Sequence, residues 1–108
     1  MISGIGVDLV SVTRVAEAMQ NPKFAERILR PDEMREEMSA QFLAGRWAAK
    51  EAIYKALGRP RLTWQDIKIL NAASGAPLAT VSGCKIHLSI SHEHEFAIAY
   101  AIAEVNEG

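Results

Sequence analysis

From Ile2 to Val10 the chain is largely apolar and β-branched, broken by Gly4, Gly6 and Asp8, and this run predicts a strand that ends near a carboxylate. Ser11 predicts the cap of a helix reaching about Gln20. Asn21-Pro22 predicts a second helical start, with Asn at the cap and Pro at the first helical position, where its missing N–H costs nothing. Phe24, Ile28 and Leu29 then share a face. Pro31-Asp32-Glu33 predicts a further short helix with acids in its first turn, where the macrodipole favours them. Ser39 caps the longest element, about Ala40 to Leu57, which Gly58 and Pro60 stop.

Beyond that stop the period changes to two. Short alternating runs at Ile67 to Leu70, Leu78 to Val81, Lys85 to Ser91 and Phe96 to Ala103 are separated by Asn71, Gly75-Ala76-Pro77 and Ser82-Gly83, which predicts antiparallel strands. In the third run Ile86, Leu88 and Ile90 point away from His87, Ser89 and Ser91. In the last, Phe96, Ile98, Tyr100 and Ile102 oppose an all-alanine face, small enough to admit a helix closely. His92 to Glu95 suits a hairpin loop. The expected class is α+β: an antiparallel sheet of three to five strands packed on one long helix, with short helices near the N-terminus.

Composition narrows the setting. With 108 residues, residues 1–108 are expected to form a single domain. A hydrophobic share of 49% against 23% charged residues is globular, and a formal charge of -1 supplies no global field for nucleic acid or an anionic membrane. One cysteine, Cys84, and an N-terminus unlike a signal peptide lead to a cytoplasmic expectation. No apolar run approaches the roughly 20 residues that span a bilayer.

Some charges do not suit a core. The 40–57 helix is apolar almost all round, yet it carries Arg46 and Lys50 on one strip and Glu51 and Lys55 on another. Buried charge is costly unless it is paired or holds a ligand. A plain account is a Glu51–Lys55 pair at i,i+4, the other cations snorkelling. Asp8 lies on the strand face of Gly4 and Gly6, where a ligand could approach without meeting side chains; a cap near Ser11 is its plain account. Taken together, Asp8, Glu51 and Lys55 are the parts for holding Mg²⁺ against a polyphosphate, with oxygen ligands for a hard cation and an ammonium for phosphate oxygens. His87, His92 and His94 with Glu93 and Glu95 raise a transition-metal alternative, but lack the spacing that sets two ligands on one helix face. Cys84 has no nucleophile signature and is read as structural.

The segments Gly4-Ile5-Gly6-Val7-Asp8, Phe24 to Leu29, Phe42 to Ala52 with Lys55-Ala56-Leu57-Gly58, and Ser89-Ile90-Ser91-His92 closely resemble bacterial holo-acyl-carrier-protein synthases, the short members of the 4′-phosphopantetheinyl transferase superfamily. The likeness runs from residue 2 to about residue 104 and includes Asp66-Ile67-Lys68-Ile69 and Asn71 to Pro77. It implies the phosphopantetheinyl transferase fold, assembled as a homotrimer with the site between a strand and helix of one subunit and its neighbour's surface. It also implies transfer of 4′-phosphopantetheine from coenzyme A to a serine of apo-acyl carrier protein, releasing adenosine 3′,5′-bisphosphate, in fatty acid biosynthesis. By motif position Asp8 and Glu51 hold Mg²⁺ and Lys55 meets the pyrophosphate, so these three form the implied catalytic set. A metal-held water, Asp8 or Glu51 takes the serine proton. Arg46, Lys50 and His92 join Lys55 as coenzyme-binding positions, and Arg14, Lys23 and Arg27 are implied contacts for the carrier's acidic helix. Two departures stand out: Gly58-Arg59-Pro60-Arg61 replaces the family's usual Gly-Thr-Gly, and the segment Arg30 to Gln41 is shorter than usual.

Two other classes use some of these parts. A Mg²⁺ nuclease also needs two carboxylates and a lysine, but its Glu-x-Lys triplet is absent and the balanced charge offers no surface for a nucleic-acid backbone. A binding module that kept the fold and lost the chemistry is opposed by the intact Asp8, Glu51 and Lys55.

Overall fold

A computed structural model of the chain describes residues 1–105. The order is β1 (Ile2–Ser11), α1 (Val12–Ala18), α2 (Phe24–Ile28), a 3-10 turn (Pro31–Glu33), α3 (Ala40–Leu57), a second 3-10 turn (Trp64–Asp66), β2 (Lys68–Asn71), β3 (Pro77–Val81), β4 (Cys84–His92) and β5 (Phe96–Val105). The strands form one antiparallel sheet in the order β1-β5-β4-β3-β2, with α3 across one face. The caps of α3 are as expected: Ser39 accepts a hydrogen bond from the Phe42 N–H, and Gly58 takes the left-handed conformation at φ 61°.

Two boundaries differ from expectation. The first helix ends at Ala18. The second starts at Phe24, because Asn21 uses its side-chain oxygen on the Lys23 N–H in a turn before the helix and its carbonyl on the Phe24 N–H. The short helix at Pro31–Glu33 forms as expected with Asp32 and Glu33 in its first turn, and Glu33 is buried.

The sheet has its bulk on the outside. Ala97, Ala99, Ala101 and Ala103 of β5 are buried beneath α3, while Phe96, Ile98 and Tyr100 on the opposite face are exposed. On β1, Ile5, Val7 and Leu9 are likewise exposed and stand opposite Ile102, Tyr100 and Ile98 in the β1–β5 register. The small inner side chains let α3 lie close to the sheet. A Cβ on Gly4 would run into the Ala56 carbonyl oxygen, and one on Gly6 into that of Ala52. The bare strip on β1 is therefore filled by the helix backbone, and the expectation that a ligand approaches there is corrected. A second apolar cluster joins Val12, Val15, Ile28, Leu29 and Leu43 under α1 and α2.

Candidate active site

The packing of β1 on α3 sets a register between them. Two strand residues advance about 6.6 Å and four helix residues about 6 Å. Stepping from Gly4 over Ala56 to Gly6 over Ala52 thus carries Asp8 past Ala52 along α3, with Glu51 lining the same cavity and Lys55 reaching Asp8 from the helix. Asp8 and Glu51 line one cavity of about 310 Å³ together with Ser11, Arg14 and Trp47.

The Lys55 ammonium lies 3.0 Å from Asp8 Oδ1 and donates to the Val7 carbonyl at 3.1 Å. The i,i+4 pair with Glu51 is thus replaced by one across to the strand. Burial and the charge of Asp8 hold the Glu51 carboxyl above its ordinary pKa, with Lys55 and Trp64 pulling the other way. Two carboxylates whose charges oppose each other beside a lysine fit a hard divalent cation. Mg²⁺ is commonly held by one or two carboxylates plus water and substrate phosphate, so no third protein ligand is required.

Lys50 has a different place. It is fully buried, and its ammonium donates to Glu33 Oε1 at 2.5 Å and to the Trp64 carbonyl at 3.0 Å. Glu33 also accepts from the backbone N–H groups of Arg30 at 2.7 Å and Ile69 at 2.8 Å. Burial pulls the Lys50 pKa down and Glu33 opposes it. The coenzyme-binding expectation for Lys50 is corrected: its donors are directed at the protein, because one carboxylate here ties together the short connection, β2 and α3. Sequence reasoning missed Glu33, whose partners stand 17 and 36 positions away.

Arg46 and His92 meet at a separate cavity of about 380 Å³, lined also by Phe42, Asn71, Gly75 and Pro77. It shares no lining residue with the Asp8–Glu51 cavity. Arg14, Lys23 and Arg27 are exposed on and beside α1 and α2, with Arg14 at the rim of the Asp8–Glu51 cavity. The transition-metal alternative finds no support: among the described residues no group of three or more His, Cys, Asp or Glu could hold a metal, and His87 pairs with Glu104 at 2.6 Å. Cys84 is half-buried, with the Arg59 guanidinium 3.0 Å from its sulfur. Among the described residues no helix is long and apolar enough to cross a membrane.

The family model described as the 4′-phosphopantetheinyl transferase superfamily matches residues 4–101. A holo-[acyl-carrier-protein] synthase of Geobacillus sp. (strain WCH70) is 42% identical, the match covering 96% of this chain and 98% of that protein. One from Exiguobacterium sp. is 43% identical, covering 96% and 93%. Among solved structures, the Bacillus anthracis holo-(acyl-carrier-protein) synthase in complex with CoA (3′,5′-ADP) superposes with a TM-score of 0.88 at 37% identity, covering 98% of this chain and 99% of that one. The Helicobacter pylori synthase in complex with coenzyme A gives 0.83 at 34%, covering 93% and 99%. The sheet, the long helix with its motif and the near full-length identity agree: this chain belongs to the 4′-phosphopantetheinyl transferase superfamily, as an enzyme of the holo-[acyl-carrier-protein] synthase type.

Proposed function

We propose that this enzyme transfers 4′-phosphopantetheine from coenzyme A to a serine hydroxyl of apo-acyl carrier protein, with Mg²⁺, in the cytoplasm and in the service of fatty acid synthesis. The observation that carries the reading is the convergence of Asp8 and Glu51, 43 positions apart in sequence, at one cavity, with Lys55 bonded to Asp8 at 3.0 Å. The serine oxygen bonds to the phosphorus that bears pantetheine, the phosphoanhydride bond breaks, and adenosine 3′,5′-bisphosphate leaves with the bridging oxygen. Asp8 and Glu51 would hold Mg²⁺, which when bound polarises the phosphoryl oxygens and offsets the charge of the diphosphate. Lys55, exposed at its tip and anchored to Asp8, can meet the charge that develops on the leaving bisphosphate. The two carboxylates are protein acceptors within the cavity for the serine proton. Arg14 at its rim, with Lys23 and Arg27, presents cations to the acidic surface of a carrier.

The assembly belongs to the same reading. The cavities of Asp8–Glu51 and Arg46–His92 are separate within one chain, and the outer sheet face leaves Ile5, Val7, Leu9, Ile98 and Tyr100 exposed. A homotrimer that covers this face and sets one chain's Asp8 cavity against a neighbour's Arg46 cavity accounts for both features.

Intact-mass measurement of an apo-carrier incubated with the enzyme, coenzyme A and Mg²⁺ tests the reaction. The expected result is a mass gain equal to phosphopantetheine that is lost on chelation. An unchanged carrier mass would overturn the reading.

A further inference from the structure

Between α3 and β2 the chain makes the short turn Trp64–Asp66, which is fastened from several directions. Asp66 closes it by accepting from the Thr63 N–H and hydroxyl. The Gln65 side-chain amide donates to the carbonyls of Glu26 and Leu29 at 3.3 and 3.2 Å, and the Gln65 carbonyl accepts from Arg30 Nη1 at 2.9 Å. The Trp64 carbonyl accepts from the Lys50 ammonium at 3.0 Å. Lys50 is itself fixed by Glu33 and has no exposed surface. A connecting turn that buries none of its own residues is ordinarily mobile, whereas this one is tied to α2, to the chain beyond it and to α3.

The ring is held as firmly as the backbone. Trp64 lies 5.6 Å from Trp47, tilted by 59°, and Trp47 lies 5.4 Å from Phe24, tilted by 55°. Tilted stacking of this kind favours one ring orientation over others. Trp47 is also a wall of the Asp8–Glu51 cavity, so the aromatic stack runs from α2 past the rim of the site. At its far end the Trp64 indole N–H donates to the Glu51 carboxylate. An indole has one donor and no acceptor, so the bond runs only this way. Lys55 acts on Glu51 through charge, its ammonium being bonded to Asp8 and the Val7 carbonyl. Left to itself, a glutamate side chain has several rotamers, and a donor seated on one oxygen selects among them.

We propose that Trp64 is a positioning residue for the metal: its indole N–H, anchored through the backbone by Lys50 and through the ring by Trp47, fixes the rotamer of Glu51 and leaves the second carboxylate oxygen to Mg²⁺. The proposal rests on the transferase reading, in which Asp8 and Glu51 hold the ion. It also gives the buried Lys50–Glu33 pair a task, because that pair holds the post from which Glu51 is aimed.

Trp64→Phe keeps the aromatic stack and removes the N–H, and calorimetric titration of the coenzyme A complex with Mg²⁺ reads the consequence. The variant should bind Mg²⁺ about tenfold more weakly than wild type, the lower end for loss of a partner behind a metal ligand. The Mg²⁺ concentration for half-maximal transfer should rise by the same factor, while the rate at saturating Mg²⁺ stays within about threefold of wild type. A merely structural Trp64 would lower the melting temperature of the variant and leave its Mg²⁺ affinity at the wild-type value, and that result overturns the proposal while the transferase reading stands. A second readout leaves Trp64 in place. The protein has two tryptophans, so ¹⁵N-labelled enzyme gives two indole N–H resonances, which Trp47→Phe assigns. The Trp64 resonance should shift upfield and exchange faster with water in Glu51→Ala; one unchanged in position and exchange overturns the proposal. Wild-type enzyme that binds coenzyme A but no Mg²⁺ overturns the metal reading and this proposal with it.

Discussion

Glu51 carries its charge against the environment. Partial burial and Asp8 both favour its neutral form, so without metal the folded protein is strained at this point. Glu51→Gln should therefore melt at or above the wild-type temperature in the absence of Mg²⁺, while transfer to an apo-carrier falls by roughly 10²–10³ or more. Asp8→Asn should lose transfer to a similar degree. Its pair with Lys55 is half-exposed and contributes about 0–1 kcal/mol, so calorimetry should show a folded protein close to wild type in stability. Wild-type transfer rates in either variant would remove these residues from the metal site. Both carboxylates were legible in the sequence because they sit where a strand and an apolar helix tolerate charge poorly. Lys50 was just as conspicuous for the same reason, but its partner, Glu33, could not be found by helical spacing.

Contacts between elements decide how firmly that site is held. Gly6→Ala places a Cβ against the Ala52 carbonyl, and backbone cannot step aside as a flexible side chain can. The expected loss is about 3 kcal/mol, the upper end for overpacking, measured by urea unfolding with an unchanged slope. Glu33→Gln leaves the Lys50 ammonium buried without its counter-charge, and about 3–5 kcal/mol should be lost. The turn leading into β2 gives a pH signature. Asp66 accepts from the Thr63 N–H at 2.9 Å and its hydroxyl at 3.1 Å, and these bonds hold its carboxyl below the ordinary range. Folding favours the ionised form, so this stabilisation is present at neutral pH and fades as pH falls through the lowered value. Asp66→Asn should flatten that acid arm of a melting-temperature profile. Strand and helix positions were readable from their periods, although Asn21-Pro22 misled because its turn uses the same polar atom as a cap.

At the scale of the whole molecule, the exposed Ile5, Val7, Leu9, Ile98 and Tyr100 form an apolar face too continuous to be scattered surface residues. On the proposed trimer, Tyr100→Glu should shift sedimentation equilibrium toward monomer and make transfer depend on enzyme concentration. Mixing inactive Asp8→Ala subunits with inactive His92→Ala subunits should restore some transfer, because each hybrid interface can join an intact Asp8 cavity to an intact His92 cavity. A fully active wild-type monomer would defeat the shared site.

Periodicity alone determined most of the elements: a period of two for the strands, a long apolar helix bounded by Ser39 and Gly58, and a β5 with alanine on one side and bulk on the other. These are local consequences of backbone geometry, and so they are written in adjacent residues. Tertiary structure decided what the bare and charged positions are for. Gly4 and Gly6 receive a helix backbone, Lys55 reaches Asp8, Lys50 is tied to Glu33, and Arg35 and Arg46 meet at Asn71. Each of these contacts joins separate segments of the chain. Which partner a charged side chain takes depends on which elements pack together and how closely, and small inner residues brought α3 near enough to set that register.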